Sequence, residues 1–442
     1  MKKLEIRSII CLMLAALLAA GVILFAVRFV KNGAKWATFY GNGSIYTNGV
    51  LNSGTVYDVN GVLLASMGDG EITYNGDSEI RAATVHAVGD VRNNITTSAL
   101  YVNKDKLIGY NLVNGTYKLS GKAQDIKLTL DANVCRAAYE ALLKYDAGCV
   151  GVYNYKTGEI VCMVSTPSFD PEYPDEVSAD DGTGIYINRF LSSRFTPGSI
   201  FKTVTAAAVI ETTDDYDSFV YECTGTRVVH GEDLNCAYEH GTVDFNGALA
   251  ASCNGAFSVL TENVGAENME KYVNKLGLMT SYDISGTHNV SGSFEFPTDA
   301  TLNLDWAGIG QYHDLVNPCS MMVYMGAIAN GGSAAVPKLI KDGSSAEMTE
   351  RMIEASTAER LQQMMKQDVI ESYGEYNYPG LDIYAKTGTA EVSGQDPNGW
   401  FVGFIKNDEH PYAFVVCLEN AGEALYTAAP IANDVLQAVV SR

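Results

Sequence analysis

A serine and a lysine three positions apart, Ser199 and Lys202, have the residue types and the spacing for nucleophilic catalysis. On a helix, residues i and i+3 share a face, so the amine of Lys202 can reach the hydroxyl of Ser199. A serine hydroxyl is a weak nucleophile until a neighbouring group takes its proton. A lysine can take that proton when burial or nearby cations lower its pKa. The pair therefore predicts a covalent serine enzyme with lysine as its general base.

Two later motifs strengthen this prediction, because a Ser-x-x-Lys spacing alone occurs by chance about once or twice in a chain of this length. One is a Ser-x-Asn triplet that follows an alanine-rich helical pattern, and the other is a Lys-Thr-Gly-Thr run much further on. Their residues are Ser252, Cys253 and Asn254, then Lys386, Thr387, Gly388 and Thr389. The order of the three motifs is that of one class of serine acyltransferases.

A second Lys-Thr-Gly copy at residues 156–158 shows how easily a three-residue match arises. It precedes Ser199 and is predicted to be the turn of a β-hairpin. The later copy follows the apolar residues 383–385, which predicts an edge strand whose glycine lets a substrate backbone approach closely. We therefore assign the function to Lys386.

The elements that must position these motifs are strands at both ends of the second half of the chain and helices between them. Hydrophobic periodicity predicts two hairpins and three helices. The hairpins are residues 150–154 with 160–164, and 400–405 with 412–418; the helices are 132–144, one after Gly198 with its apolar body at 206–210, and 431–440. Such a distribution indicates an α+β fold.

The first 127 residues predict an anchor and a small domain. Residues 9–27 carry no charge, and a helix of that length nearly spans the hydrocarbon core of a bilayer. A cleaved signal peptide is the less favoured alternative, because no small-x-small site ends the run. We expect a cytoplasmic tail at 1–8, a transmembrane helix at 9–27, a β-rich membrane-proximal pedestal domain at 28–127 and a catalytic domain at 128–442. Basic residues are balanced on the two sides of the helix, so charge does not orient it.

The net charge of the 442-residue chain is −22, which argues against nucleic acid as a partner. Its nine cysteines include no Cys-x-x-Cys pair. Cys223 and Cys236 lie in a segment predicted to be an irregular loop, and a disulfide and free thiols are equally compatible with it. Zinc with His230 or His240 is disfavoured, because the spacing matches no usual ligand pattern. We expect no metal and no cofactor.

The chain resembles the class B penicillin-binding proteins, the D,D-transpeptidases of peptidoglycan synthesis. The resemblance spans about residues 50–440 and is strong from 128 onward. Besides the three motifs it rests on residues 186–202 (YINRFLSSRFTPGSIFK), 223–225, Cys236, 240–243, 309–311, 400–404 and 128–131.

The resemblance implies the fold, the reaction and the roles of the motif residues. The fold would be the penicillin-binding transpeptidase fold, an antiparallel sheet with helices like that of serine β-lactamases. The enzyme would cross-link stem peptides outside the membrane and be acylated by β-lactam antibiotics, with a polytopic membrane glycosyltransferase as partner. Ser199 would be the nucleophile, Lys202 its base, Ser252 and Asn254 a proton relay and amide ligand. Lys386, Thr387 and Thr389 would bind the substrate carboxylate, and the N–H groups of Ser199 and Thr389 would form the oxyanion hole.

The chain departs from the family before residue 128. Residues 53–65 (SGTVYDVNGVLLA) resemble an Arg-Gly-x-Ile-x-Asp-Arg-x-Gly signature in which Ser53 and Val59 replace both arginines. This substitution puts the usual pedestal geometry in question and leaves the acyl-transfer residues unchanged.

Two alternatives rank below the transpeptidase. A serine β-lactamase needs a second base to hydrolyse the acyl-enzyme, and the only candidate in the sequence, Glu232, precedes Ser252 instead of following it. A penicillin sensor or wall-machinery scaffold predicts several membrane spans, whereas one apolar run is present.

Overall fold

The computed structural model of the chain describes residues 2–39, 41–43, 45–51, 54–109, 125–176, 182–298 and 302–442. The chain forms two compact units that alternate along the sequence. The first comprises Met1–Val56, Ala65–Thr73 and Asn103–Ile126, and the second comprises Tyr57–Leu64, Tyr74–Val102 and Lys127–Arg442. All residues of the three motifs lie in the second unit. The domain bounds given above stay a prediction.

The chain begins with helix α1, Lys2–Ala37. Its residues Lys3–Ala37 are long and apolar enough to cross a membrane, with a mean hydropathy of 2.9 in the most apolar window. Within the described ranges no other helix meets those two conditions. The predicted span at 9–27 lies inside this helix.

Short strands and helices follow α1, as the predicted β-rich region requires. They are β1 Tyr46–Thr47, β2 Val50–Leu51, β3 Thr55–Tyr57, β4 Leu63–Gly68, β5 Glu71–Tyr74, α2 Ser78–Val88, α3 Ala99–Val102, α4 Lys104–Leu107 and β6 Ile126–Lys127. Strands β1 and β2 pair with each other in antiparallel fashion.

The rest of the chain mixes helices and antiparallel strands. Its first half contains α5 Ala132–Leu142, β7 Ala147–Asn154, β8 Ile160–Thr166, α6 Arg189–Ser192, α7 Lys202–Thr212, β9 Val220–Cys223, β10 Thr226–Val229, β11 Glu232–Asn235, β12 Gly241–Asp244, α8 Phe245–Ala250, α9 Asn254–Val264 and α10 Ala266–Lys275. Its second half contains β13 Asp283–Ile284, β14 Thr287–His288, α11 Asn303–Gly308, α12 Pro318–Ala329, α13 Ala355–Asp368, β15 Ile383–Ala390, β16 Asn398–Ile405, β17 Tyr412–Glu419 and α14 Ala428–Val440.

One five-stranded antiparallel sheet organises the second unit, with the order β15-β16-β17-β7-β8. Every residue of β16 is buried, because helices cover both faces of the sheet. The wholly buried α12 packs on β16 and β17, while α5 and α14 pack against each other, α5 also on β8 and α14 on β17. Strand β15, with the Lys-Thr-Gly run, lies at the edge. The predicted α+β fold and the predicted edge strand are therefore confirmed.

The segment that resembles the arginine signature is held by the Asp58 carboxylate and by the backbone N–H of Val59. The buried Asp58 carboxylate accepts the N–H groups of Asn60, Val62 and Ala132 at 2.8, 2.7 and 3.1 Å. The N–H of Val59 donates to the carbonyl of Leu130 at 2.9 Å. These contacts do not use the side chain at position 59. Ser53 lies outside the described residues.

The structure corrects the predicted irregular loop between Cys223 and Cys236. Strands β10 and β11 form a hairpin there, in which Val229 pairs with Glu232 across a two-residue turn. His230 and Gly231 have φ values of 51° and 89°, as both central residues of a type I′ turn require. The usual sequence signal for this turn is Asn-Gly or Asp-Gly, so a His-Gly pair was not recognised.

Candidate active site

Ser199 lies in a 3₁₀ turn, Gly198–Phe201, that leads directly into α7. Side chains at i and i+3 eclipse in a 3₁₀ turn, which brings Lys202 over the nucleophile. Lys202 Nζ donates to Ser199 Oγ at 3.0 Å, and the lysine side chain is fully buried. The contact predicted from the spacing is present.

Two glycines let this turn pack directly on strand β15. Gly198 has a φ of +56°, and a Cβ there would lie 2.7 Å from the carbonyl oxygen of Thr389. A Cβ on Gly388 would lie 2.7 Å from the carbonyl oxygen of Pro197. The N–H of Gly198 donates to the carbonyl of Gly310 at 2.8 Å. Backbone packing thus holds the Ser199 turn against the Lys-Thr-Gly run.

Lys202 also joins the second motif to the first. Its Nζ donates to the carbonyl of Ser252 at 2.6 Å, to Ser252 Oγ at 3.1 Å and to Asn254 Oδ1 at 2.6 Å. Ser252 adopts a left-handed conformation with φ 51°, and Asn254 begins α9. Asn254 Nδ2 donates to the carbonyl of Asn235 at 2.7 Å. Ser199, Ser252 and Asn254 therefore share the Nζ atom of Lys202.

The surroundings of Lys202 favour its neutral form. Burial, and then the positive charge of Lys386, lower the pKa of Lys202 to about 7. An amine with that pKa is about half unprotonated at pH 7, so a substantial fraction of it can accept the proton of a hydroxyl group.

Lys386 is fully buried on β15 and has a hydroxyl group as its nearest side-chain partner. Its Nζ donates to Tyr373 Oη at 3.3 Å and to the carbonyl of Thr387 at 3.4 Å, and no ion pair with a carboxylate is found for it among the described residues. The N–H and Oγ1 of Thr387 also donate to Tyr373 Oη, at 3.1 and 3.2 Å. Thr387 is half-buried and Thr389 exposed, on the same face of the strand. A cation and two hydroxyl groups thus occur together, as anion binding requires.

Sequence reasoning missed two residues near Lys386. Tyr373 lies on a π-helical turn, Val369–Tyr373, that follows α13. Asp368, the last residue of α13, is fully buried, and neither carboxylate oxygen has a hydrogen-bond partner among the described residues. Burial raises the pKa of Asp368 to about 7, although the charges of Lys386 and Lys202 oppose that shift. No motif marks either residue, since each resembles an ordinary helix position in the sequence.

The structure shows how Cys223 and Cys236 lie relative to each other and to the two histidines. Cys223 and Cys236 are free thiols with their Sγ atoms 3.7 Å apart. His240 lies beside them and His230 lies in the hairpin turn, outside the group. Cys253, the middle residue of the Ser-x-Asn triplet, joins this group, which could hold a metal ion.

Comparison with known proteins places the chain in a family. The penicillin-binding protein transpeptidase domain matches residues 148–437. The peptidoglycan D,D-transpeptidase PbpA of Mycolicibacterium smegmatis is 25% identical over 380 residues, which cover 76% of each chain. Stage V sporulation protein D of Bacillus subtilis is 32% identical over 235 residues, 49% of this chain and 35% of that protein.

Solved structures share the fold. The crystal structure of penicillin-binding protein A from Mycobacterium tuberculosis has a TM-score of 0.76 and 22% identity, covering 88% of this chain and 99% of that one. A penicillin G acyl-enzyme complex of the same protein has a TM-score of 0.73, 22% identity and coverage of 88% and 99%. The transpeptidase model matches 290 of the 442 residues, and the three motifs meet around Lys202; the chain belongs to the class B penicillin-binding proteins.

Proposed function

We propose that the protein is a peptidoglycan D,D-transpeptidase that works through an acyl-enzyme on Ser199. The observation that carries this proposal is the set of hydrogen bonds from Lys202 Nζ to Ser199, Ser252 and Asn254. The names of the mycobacterial relatives, peptidoglycan D,D-transpeptidase, agree with it.

In the first half-reaction, Ser199 Oγ attacks the carbonyl carbon of the peptide bond between two D-residues at the end of a stem peptide. Lys202 Nζ, neutral because of its burial, accepts the hydroxyl proton. The N–H groups of Ser199 and Thr389 stabilise the oxyanion, an effect worth several kcal/mol. The C–N bond breaks, the terminal D-residue leaves with a proton relayed through Ser252, and an ester on Ser199 remains.

In the second half-reaction, an amine of a neighbouring stem peptide attacks the ester. The C–O bond to Ser199 breaks, the proton of the amine passes through the same relay to Ser199 Oγ, and a peptide cross-link forms while the free serine is restored. Lys386, Thr387 and Thr389 bind the terminal carboxylate of the donor peptide, and the Asn254 side chain holds its amide. A β-lactam enters the same path, but ring opening leaves no departing amine, so the acyl-enzyme persists.

Helix α1 is the proposed anchor, with the second unit outside the cytoplasmic membrane where the wall substrate is. A polytopic membrane glycosyltransferase is the proposed source of the glycan strands. Protease added to intact spheroplasts should remove the large domain and leave a membrane-embedded fragment. Full protection until lysis would reverse this topology.

The test of the reaction uses the full-length chain in detergent with a synthetic stem peptide that ends in two D-residues. We expect release of the terminal D-residue and, with an added amine acceptor, a new peptide bond. Ser199→Ala should abolish both products in a folded protein. Cross-linking by that variant would reject the mechanism.

The lifetime of the penicillin adduct separates the transpeptidase from a β-lactamase. Glu232, the one candidate for a hydrolytic base, lies on β11 with an exposed side chain. We expect Ser199 to stay acylated over many minutes. Turnover of many penicillin molecules per enzyme per second would favour the β-lactamase instead.

A further inference from the structure

Three sulfur atoms and one imidazole ring converge beside the Ser-x-Asn triplet. The ligand atoms of Cys223, Cys236, Cys253 and His240 all lie within 4.8 Å of one another. Cys236 Sγ is 3.7 Å from Cys223 Sγ and 3.8 Å from Cys253 Sγ, and Cys223 Sγ is 3.2 Å from His240 Nδ1. No other such group of ligands with sulfur or imidazole donors occurs in the described parts of the chain.

The separations match a tetrahedral zinc site. Zinc binds thiolate sulfur at about 2.3 Å, and tetrahedral angles then place two sulfurs roughly 3.8 Å apart. A disulfide would need its sulfurs at about 2.05 Å. Three cysteines and one histidine form a donor set of structural zinc sites, in which the protein supplies all four ligands.

The backbone around the group is arranged for negatively charged sulfur. At the start of α9, the N–H of Gly255 points to Cys236 Sγ and the N–H of Ala256 points to Cys253 Sγ, each at 3.4 Å. Amide donors at a helix N-terminus stabilise thiolates. Cys223 and Cys253 are buried, and buried thiolates need a compensating cation.

The histidine has no competing partner. Its Nδ1 faces Cys223, and its Nε2 is buried without a hydrogen-bond partner among the described residues. Among the described residues the ring has no other hydrogen-bond partner, and the Tyr238 ring packs beside it with the centroids 4.5 Å apart.

We propose that Cys223, Cys236, Cys253 and His240 bind one Zn²⁺ in a closed, structural site. This proposal replaces the expectation of no metal, which rested on irregular spacing. The ligands come from the end of β9, the residue after β11, the residue before β12, and the residue before α9. One ion would thus tie three strand ends to the residue between Ser252 and Asn254.

The site has a consequence for the catalytic residues. Cys253 separates the two side chains that share Lys202, and Asn254 contacts the residue before Cys236. Zinc would therefore fix the triplet against the β10–β11 hairpin. The four ligands are positioning residues, since none of them contacts the nucleophile.

The first test measures metal directly in the full-length chain, purified in detergent with a reductant and without chelator. We expect about one zinc per chain by mass spectrometry of the metal. After chelation and loading with Co²⁺, the protein should show thiolate-to-cobalt charge transfer and the visible bands of tetrahedral cobalt. Zinc far below one per chain, or octahedral cobalt, would overturn the proposal.

Substitutions of the proposed ligands test where the zinc ion binds. Cys236→Ala and His240→Ala should lose the zinc, whereas His240→Cys should keep it with stronger charge-transfer absorption in the cobalt form. The matched controls are Cys135→Ala, a buried cysteine on α5, and His288→Ala, an exposed histidine on β14; both should retain full zinc. Equal zinc in ligand and control variants would contradict the assignment.

The competing outcome is a disulfide. In that case the wild-type chain would contain no zinc and be lighter by two hydrogens, and digestion would give one cross-linked fragment with Cys223 and Cys236. This result would show that a disulfide forms there and would overturn the metal site. Metal content does not depend on the reaction, so this test and the transpeptidation test can fail separately. Zinc without cross-linking activity would reject the proposed function alone.

Discussion

The two turns that meet at Lys202 are held in different ways. The Ser199 turn is held by backbone packing, since Gly198 and Gly388 let it lie directly on β15 and Gly310 accepts its N–H. The turn at Ser252 is held by backbone hydrogen bonds to α8, from the N–H of Ser252 to Leu249 and from the N–H of Cys253 to Ala248, each at 2.9 Å, and through Cys253 it lies beside the cysteine and histidine group. The first turn is thus held by backbone contacts to distant parts of the chain, whereas the second is held by local backbone hydrogen bonds and lies against side chains that come from several strand ends.

The two turns should therefore respond to different substitutions. Changes at the first turn should impair acylation and leave zinc unchanged. Changes at the ligands of the second should remove zinc and impair acylation together.

The largest loss of acylation rate should come from removing the amine of Lys202. Lys202→Met keeps most of the side-chain volume and removes Nζ, the proposed general base. We expect the rate of acylation by fluorescent penicillin to fall about 10²–10⁴-fold, the usual contribution of a general base. Zinc content should be unchanged. A variant that folds and labels at near the wild-type rate would mean that another group takes the proton.

The two Lys-Thr-Gly copies allow a matched comparison. Lys386→Met should slow acylation roughly 10–100-fold, because a hydrogen bond to a charged group contributes about 1.5–3 kcal/mol. Lys156→Met removes only the exposed ion pair with Asp408, so labelling and stability should hardly change. Equal effects of the two substitutions on stopped-flow labelling would reject the assignment of Lys386.

Backbone packing at the nucleophile can be tested with alanine. In Gly198→Ala the new Cβ meets the Thr389 carbonyl and φ is positive, so we expect acylation to slow about tenfold or more, since 1.4 kcal/mol corresponds to tenfold. Gly343→Ala is the control, because Gly343 has a φ of +76° in open space and shows the conformational cost alone. A larger loss of labelling in the control than in Gly198→Ala would contradict the packing account.

The smallest expected effect is a shift in the pH dependence of acylation. Acylation should rise with pH through about 7, as Lys202 loses its proton. The charge of Asp368 raises the pKa of Lys202, so Asp368→Asn should move this limb to lower pH by a fraction of a unit. A shift to higher pH would show that the carboxyl group acts in another way.

A stability measurement supplies the control for that variant. The wild-type carboxyl binds its proton more tightly when folded, with a pKa of about 7 against an ordinary value near 4. Its contribution to stability is therefore complete below about pH 4 and is lost as pH rises to about 7. Urea unfolding of Asp368→Asn should lack this loss.

The sequence predicted the site better where the chain is locally regular. The Ser199–Lys202 contact follows from one turn, and the edge strand around Lys386 follows from an apolar run. The group around Cys236 could not be predicted from spacing, because an unrecognised hairpin turn and the start of α9 bring its members together. Asp368 was missed because only tertiary packing buries it beside the two lysines.

Mapping the penicillin adduct on the wild-type chain determines whether Ser199 forms the acyl-enzyme. The full-length protein in detergent is treated with penicillin G, digested and analysed by mass spectrometry. Because ring opening releases no fragment, we predict one adduct with the full mass of the antibiotic on the peptide that contains Ser199. An adduct on a different residue, or none on a folded protein, would show that Ser199 is not the nucleophile.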